Sequence, residues 1–252
     1  MKSFIAFASV GLIWISLAVA PVHAQLPAYS GGSASQWYSA NDEGSIRVAT
    51  LVAKALAQTL YDPNIDVRQA AIGALEAMEV NAAPVVADIA QRLRDVDAYL
   101  RADASRTLTK LNTVAVPSVI AALQDRDPRV RELAARTFIE MKTVPTDAIH
   151  PLIQLLWDCN TDVRQAAIEA LEAMGPAAKP AMEALVQRMR DPDAYLRSDA
   201  SRTLVKFGPD SLTSLLPLLN DGDPRVRELA ARTVEEIEFN VTSGNYVTAD
   251  TR

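Results

Sequence analysis

From residue 46 onward, apolar and small side chains recur at three- and four-residue steps, the spacing of one helical stripe rather than of a strand. Val67, Ala70, Ala71, Ala74, Leu75 and Met78 form one such stripe. Val130, Leu133, Ala134, Thr137, Phe138 and Met141 form another of the same shape. Ahead of such stripes lies a further apolar segment, over 83–93, 148–156 and 178–189 for example. Pro84, Pro151 and Pro180 fall early in these segments, where a missing N–H does least harm. Asp127 and Asp223 each precede a proline, which reads as an N-cap followed by proline at the first helical position. No alternating run interrupts 46–240, so the pattern predicts about twelve helices in closely packed antiparallel pairs and no sheet.

The pattern also copies itself. NIDVRQAAIGALEAM at 64–78 returns as NTDVRQAAIEALEAM at 160–174, and DAYLRADASRTL at 97–108 returns as DAYLRSDASRTL at 193–204. DPRVRELAART at 127–137 returns unchanged at 223–233. Each pair is offset by about 96 residues, so the chain carries an internal duplication with halves at about 46–144 and 145–240. Each half divides into three units of roughly 30 to 33 residues, the period of a stacked repeat array.

Within every unit an aspartate precedes the leading hydrophobe and an arginine follows it. The aspartates are Asp62, Asp95, Asp125, Asp158, Asp191 and Asp221, and the arginines are Arg68, Arg101, Arg131, Arg164, Arg197 and Arg227. An acid and a fork-shaped donor recurring in all units predict a structural ladder between the turns of neighbouring repeats. A catalytic pair would occur once. A calcium site would need further ligands and a closing glutamate that these turns lack.

The pattern Asp-x-(Asp/Asn)-x-x-(Val/Leu)-Arg-x-x-Ala, with an apolar residue four positions on, resembles the HEAT repeat, and most of all the short form named after phycobilisome lyases. The resemblance covers about three quarters of the chain. It implies an all-α fold, an α-α superhelix (solenoid) of about six HEAT-like helical hairpins. First helices would lie on the convex side and second helices on the concave side. Asp103 and Asp199 depart from it, standing where the other units have Ala or Leu. An acid in an apolar stripe needs a partner, so Asp103 is expected to meet Arg68 or Arg131, and Asp199 to meet Arg164 or Arg227.

The flanks differ. Lys2, the apolar run 5–20 and Val22-His23-Ala24 read as a signal peptide over 1–24, the alternative being an uncleaved anchor. Gly, Ser and Ala dominate a flexible linker at 25–45, whose Trp37 and Tyr38 could dock on the first repeat. Residues 241–252 read as a polar tail, and Asn240-Val241-Thr242 is a glycosylation sequon relevant only in a eukaryotic secretory host. The chain is expected to be exported, periplasmic or secreted.

The formal net charge of −6 argues against a non-specific nucleic-acid or anionic-membrane binder. Cys159 is the lone cysteine, so no internal disulfide forms, and outside the leader His150 is the lone histidine. Metal sites built from several His or Cys are therefore excluded within one chain. A nucleophilic triad would have to use His150, which sits in an apolar helix. Gly31-Gly32 lacks the helix and lysine of a phosphate loop. No catalytic residue, cofactor or metal is expected.

A second basic column remains. Arg106, Arg136, Arg202 and Arg232 hold one equivalent position, occupied by Gly73 and Glu169 in the other two units, and Lys110 and Lys206 lie one turn on. This is either a solvated face with its own glutamates or a concave site for an acidic or phosphate-bearing partner. The expectation is a non-catalytic scaffold or adaptor for a protein partner, monomeric, without nucleic acid or, after signal cleavage, membrane. The alternative implied by the resemblance is a lyase-like or chaperone-like protein for chromophore or cofactor attachment, related to bilin lyases.

Overall fold

A computed structural model describes residues 43–141 and 145–246. The expected leader, the linker with Trp37 and Tyr38, and the end of the tail lie outside the described residues. Within those residues no strand occurs, and twelve α-helices form six consecutive pairs. These are α1 (Glu43–Thr59) with α2 (Ile65–Ala77), α3 (Val86–Gln91) with α4 (Ala98–Leu111), and α5 (Val116–Ala122) with α6 (Pro128–Glu140). There follow α7 (Ile149–Leu155) with α8 (Thr161–Met174), α9 (Met182–Arg188) with α10 (Ala194–Phe207), and α11 (Leu212–Leu215) with α12 (Pro224–Thr242).

The first helices are shorter than the apolar pattern predicts. The segments 83–93 and 178–189 are entered through seven-residue 3-10 helices, Glu79–Val85 and Gly175–Ala181, before α3 and α9 begin. Pro84 and Pro180 sit inside these 3-10 helices and remove a donor that a regular helix would use. The second helices are better defined because their ends are fixed. Asn64, Asp97, Asp127, Asn160, Asp193 and Asp223 each cap one, the side chain accepting an N–H from the first turn. Four of them stop at a left-handed residue in the equivalent place: Glu79, Asn112, Gly175 and Gly208. Gly208 has φ of 80°, and a Cβ there would lie 3.4 Å from the ring of Tyr246, in ordinary van der Waals contact. The Tyr246 hydroxyl donates to the Val205 carbonyl at 2.7 Å. The segment expected as a polar tail from 241 thus begins as the last turn of α12, and its Tyr246 packs back on the fifth pair.

The core is one continuous cluster. Leu75, Leu108, Ala134, Leu171, Leu204 and Ala230 from the second helices are buried in one cluster with Leu93, Leu123, Leu156, Met189 and Leu218, which follow the ends of the first helices. Second helices pack on their successors, α2 on α4 and so on to α12, more extensively than first helices do. Burial of identical sequence depends on stacking. Val67 is 36% exposed while its copy Val163 is fully buried, because α8 has α6 packed before it and α2 has no earlier repeat.

Two junctions between second helices are polar inside. The Thr137 hydroxyl donates to the Leu133 carbonyl, leaving its oxygen to accept from Ser105 at 2.8 Å. Ser201 and Thr233 repeat this at 2.7 Å, with Thr233 donating to Leu229. Both pairs are satisfied, so burial does not strand them.

Candidate functional site

The turn motif is uniform within each repeat. Each of Asp62, Asp95, Asp125, Asp158, Asp191 and Asp221 accepts, through Oδ1, the N–H two residues on, at 2.7 to 3.0 Å. Nη1 of each following arginine donates to the carbonyls of that aspartate and of the next residue, at 2.7 to 3.4 Å. The motif therefore locks the turn and aims the guanidinium toward the next repeat.

Three junctions complete the ladder. Nε and Nη2 of Arg68 clasp Asp95 at 3.1 and 3.2 Å, Arg131 clasps Asp158 at 2.7 and 2.8 Å, and Arg164 clasps Asp191 at 3.0 and 3.3 Å. Two junctions do not. Asp125 and Asp221 follow the preceding turn aspartate by 30 positions where the others follow by 33. The shortening moves them out of reach of Arg101 and Arg197, which correct the sequence expectation by bridging to no next turn. Arg94 instead meets Asp125 as an ion pair, and Arg190 donates to Asp221 at 2.6 Å. Sequence reading missed these two, and also Arg92 and Arg188. The latter reach Asp95 and Asp191 at 3.4 and 3.3 Å and lie over Tyr61 and Trp157, 4.3 and 5.1 Å from the ring centres. Their common offset between the halves was the signal available.

Electrostatics follow the contacts. Burial would push the Asp95 and Asp158 carboxyls up. The Asp97 N–H and Arg68, and likewise Arg131 and the Asn160 N–H, more than offset it and hold both below the usual carboxylate range.

The second column is fully engaged by carboxylates of its own face. Arg106 takes Glu76 with two bonds of 2.9 Å and Asp103 at 2.8 Å, and Lys110 meets Glu76 at 2.7 Å. Arg202 takes Glu172 at 3.0 Å and Asp199 at 2.8 Å, and Lys206 also pairs with Glu172. Arg136 meets Glu132 at 2.9 Å and Glu169 at 3.3 Å, and Arg232 pairs with Glu228. Asp103 and Asp199 are thereby corrected. Their partners are the arginines one turn along their own helix, within easy reach, because Arg68, Arg131 and Arg164 are committed to turn aspartates. Through the Arg106 bonds, against opposing burial and with help from Lys110, Glu76 is held down to about 2.

Two open hollows lie between second helices. One of about 170 Å³ separates α10 from α12 and is lined by Arg197, Ser198, Arg225, Glu228 and Arg232. One of about 290 Å³ lies between α4 and α6, lined by Ser105, Arg106, Leu133, Arg136 and Glu140. His150 is exposed and meets only the Gln154 amide, at 3.2 Å, and Cys159 is exposed in its turn beside Asp158. Among the described residues no group of three His, Cys, Asp or Glu side chains is placed to hold a metal ion, and no helix is long and apolar enough to cross a membrane.

A family profile described as HEAT repeats matches residues 86–172 and 182–243, more than half of the chain. No curated protein sequence matches. Among solved structures the chain is similar to an engineered protein at 21% identity, over 75% of this chain and 96% of that one, with a TM-score of 0.46. It is similar to a designed armadillo repeat protein in complex with the peptide (KR)4 at 15% identity, over 73% and 98%, with a TM-score of 0.49. It is also similar to the complex of CpcE and CpcF of phycocyanin lyase from a Nostoc species at 23% identity, over 87% and 83%, with a TM-score of 0.46.

Proposed function

Because the chain belongs to the HEAT-repeat family, we propose that it is a non-catalytic interaction scaffold of the periplasm or extracellular space, binding an acidic protein partner through its second-helix face. The observation that carries this reading is the column Arg106, Lys110, Arg136, Arg202, Lys206 and Arg232. These side chains are 43% to 72% exposed and stand on α4, α6, α10 and α12, with Glu169 at the same position of the intervening α8. Their present partners are carboxylates of the same surface, and exposed pairs of this kind contribute only about 0–1 kcal/mol each. An incoming acid can therefore exchange with them at little loss, while the pairing keeps the heads ordered before binding. Export rests on the reading of 1–24 as a signal peptide.

The test is capture of partners from the exported fraction of the native host. The reference bait is the wild-type chain, and the variant carries Arg106→Glu, Arg136→Glu, Arg202→Glu and Arg232→Glu. None of the four lies in the core, so the helical signal should be kept, while losing the pairs with Glu76, Glu132, Glu172 and Glu228 should lower the melting temperature without unfolding the chain at the assay temperature. The variant should lose the proteins held by the wild type, and added salt should weaken that capture. Recovery of the same proteins by both baits refutes the second-helix face as the site.

A further inference from the structure

We propose that Arg197, with Arg101 as its counterpart in the first half, is a preformed clasp for an Asp or Glu side chain of an acidic peptide; this rests on the second-helix face being the protein-binding face. The argument starts from the three completed junctions. There the arginine has two edges: Nη1 is pinned by two turn carbonyls, and the Nε/Nη2 edge holds the carboxylate of the next repeat. At Arg197 the pinned edge is the same, with bonds of 2.8 and 3.0 Å to the Asp191 and Pro192 carbonyls. At Arg101 it is the same again, with 2.8 and 3.1 Å to Asp95 and Val96. The other edge is vacant in both, because Asp221 and Asp125 are drawn to Arg190 and Arg94. A guanidinium fixed in the clasping orientation, with its fork open, has already lost the freedom that binding would otherwise remove.

The surroundings favour an anion. In the hollow between α10 and α12, Arg197 is joined by Arg225, Arg232 and the exposed hydroxyl of Ser198. The nearby carboxylates are Asp223 and Glu228, and each is already answered, Asp223 by Arg225 at 3.0 Å and Glu228 by Arg232. Three arginines therefore face two carboxylates, and Arg197 is the one whose fork holds neither, acting on Asp223 only at longer range. The start of α12 adds the positive end of a 19-residue helix. In the first half Arg129 and Arg136 stand where Arg225 and Arg232 stand, with Asp127 and Glu132 as their paired carboxylates, and Ala102 replaces Ser198.

The occupant is read from the filled junctions, where this edge takes a planar two-oxygen group at 2.7 to 3.3 Å. The fork could also take two oxygens of a phosphate, and a carboxylate is chosen because it is what this edge holds at all three filled junctions. A peptide is selected over a small acid because two vacant clasps stand three repeats apart on one face. Helices stack at about 8–10 Å, so the clasps are roughly 25–30 Å apart. An extended chain advancing about 3.3 Å per residue spans that with about eight or nine residues between its acids.

The experiment measures fluorescence anisotropy of labelled peptides with the full chain at low salt. The peptides carry two Glu-Glu pairs separated by eight Gly/Ser residues, one such pair, the same two positions as Gln-Gln, or the same positions as phosphoserine. The two-pair peptide should bind about tenfold or more tighter than the one-pair peptide, through effective concentration. That advantage should vanish in Arg101→Gln and in Arg197→Gln, and the double variant should bind no better than it binds the Gln-Gln control. Wild-type affinity in the double variant, no binding of the Glu peptide by the wild type, or binding of the phosphoserine peptide alone each overturns the proposal. The partner-capture assay separates the two readings. If column reversal abolishes capture while the Arg101/Arg197 double variant captures normally, the scaffold face stands and the clasp falls. If the peptide result holds while column reversal leaves capture intact, the clasp stands without the column.

Discussion

Replacing Arg131 and Arg101 in parallel tests whether the bridge between repeats, and not the turn lock, holds the array together. Arg131→Gln removes two bonds to Asp158 and two to the carbonyls of Asp125 and Arg126. The Asp158 side chain is only 8% exposed and keeps the Asn160 N–H, at 2.9 Å, once its arginine is gone. Breaking a fully buried pair from one side costs about 3–5 kcal/mol. Partial exposure and the surviving N–H bring the expectation for Arg131→Gln to about 2–4 kcal/mol. Arg101→Gln removes only the two bonds from its guanidinium to turn carbonyls, which Arg131→Gln loses as well, and at a part-exposed turn these contribute about 1–2 kcal/mol together. The difference of about 2 kcal/mol corresponds to roughly 4–8 °C in Tm for an array of this length. Urea melts with matched m-values, supported by calorimetry, read it directly. Adding Asp158→Asn to Arg131→Gln should cost much less than the sum of the single changes. Equal losses for Arg131→Gln and Arg101→Gln, or no coupling in the cycle, would refute the bridge as the stabilising element.

Two further outcomes follow from the contacts. Glu76 is held near 2 against an ordinary 4.5, so its contribution is complete above about pH 4.5 and is lost as pH falls through 2. Arg106 and Lys110 are half exposed, and screening reduces that contribution to the order of 1–2 kcal/mol. Acid titration of Glu76→Gln should show wild type more stable by that amount near pH 7 and the two curves converging toward pH 2, and a constant gap contradicts the pairing. Gly208→Ala should destabilise by about 1–3 kcal/mol, since side chains rarely adopt its φ of 80°. Gly73→Ala, in the middle of α2 with open space around it, should stabilise by about 0.5–1 kcal/mol in the same melts.

Repetition made the fold legible. Turn aspartates, capping residues and stripes such as Val130 to Phe138 could be read because each appears in register with its copies. The exceptions share one physical cause: a residue's partner depends on what is stacked against it, which one unit's sequence does not contain. Val67 and Val163 occupy the same motif with different burial. Arg101 and Arg131 occupy the same motif with different partners, because three fewer residues separate Asp95 from Asp125. Asp103 looked like an acid in the core, yet its carboxylate turns along α4 to Arg106. Of the candidate site, the column's positions and the alternative of a face paired with its own glutamates were readable, but not which of them, Glu76, Glu172, Glu132, Glu169 and Glu228, each base meets.

The ties between repeats all join near neighbours in the chain. The arginine bridges span 27 residues, the buried hydroxyl pairs 32, and the link from Tyr246 to Val205 spans 41. None of these ties reaches past the adjacent repeat, so a pull on the array passes through its junctions in series, as along a chain of links. The links differ in strength. At the second and fifth junctions the bridging Arg94 and Arg190 are 49% and 41% exposed, against 11% to 13% for Arg68, Arg131 and Arg164. Water competes most for the bridges at those two places, three repeats apart, and they are the two junctions where a buried hydroxyl pair, Ser105 with Thr137 and Ser201 with Thr233, ties the second helices instead. The load is therefore carried at the turns of the first, third and fourth junctions and inside the helix layer at the second and fifth.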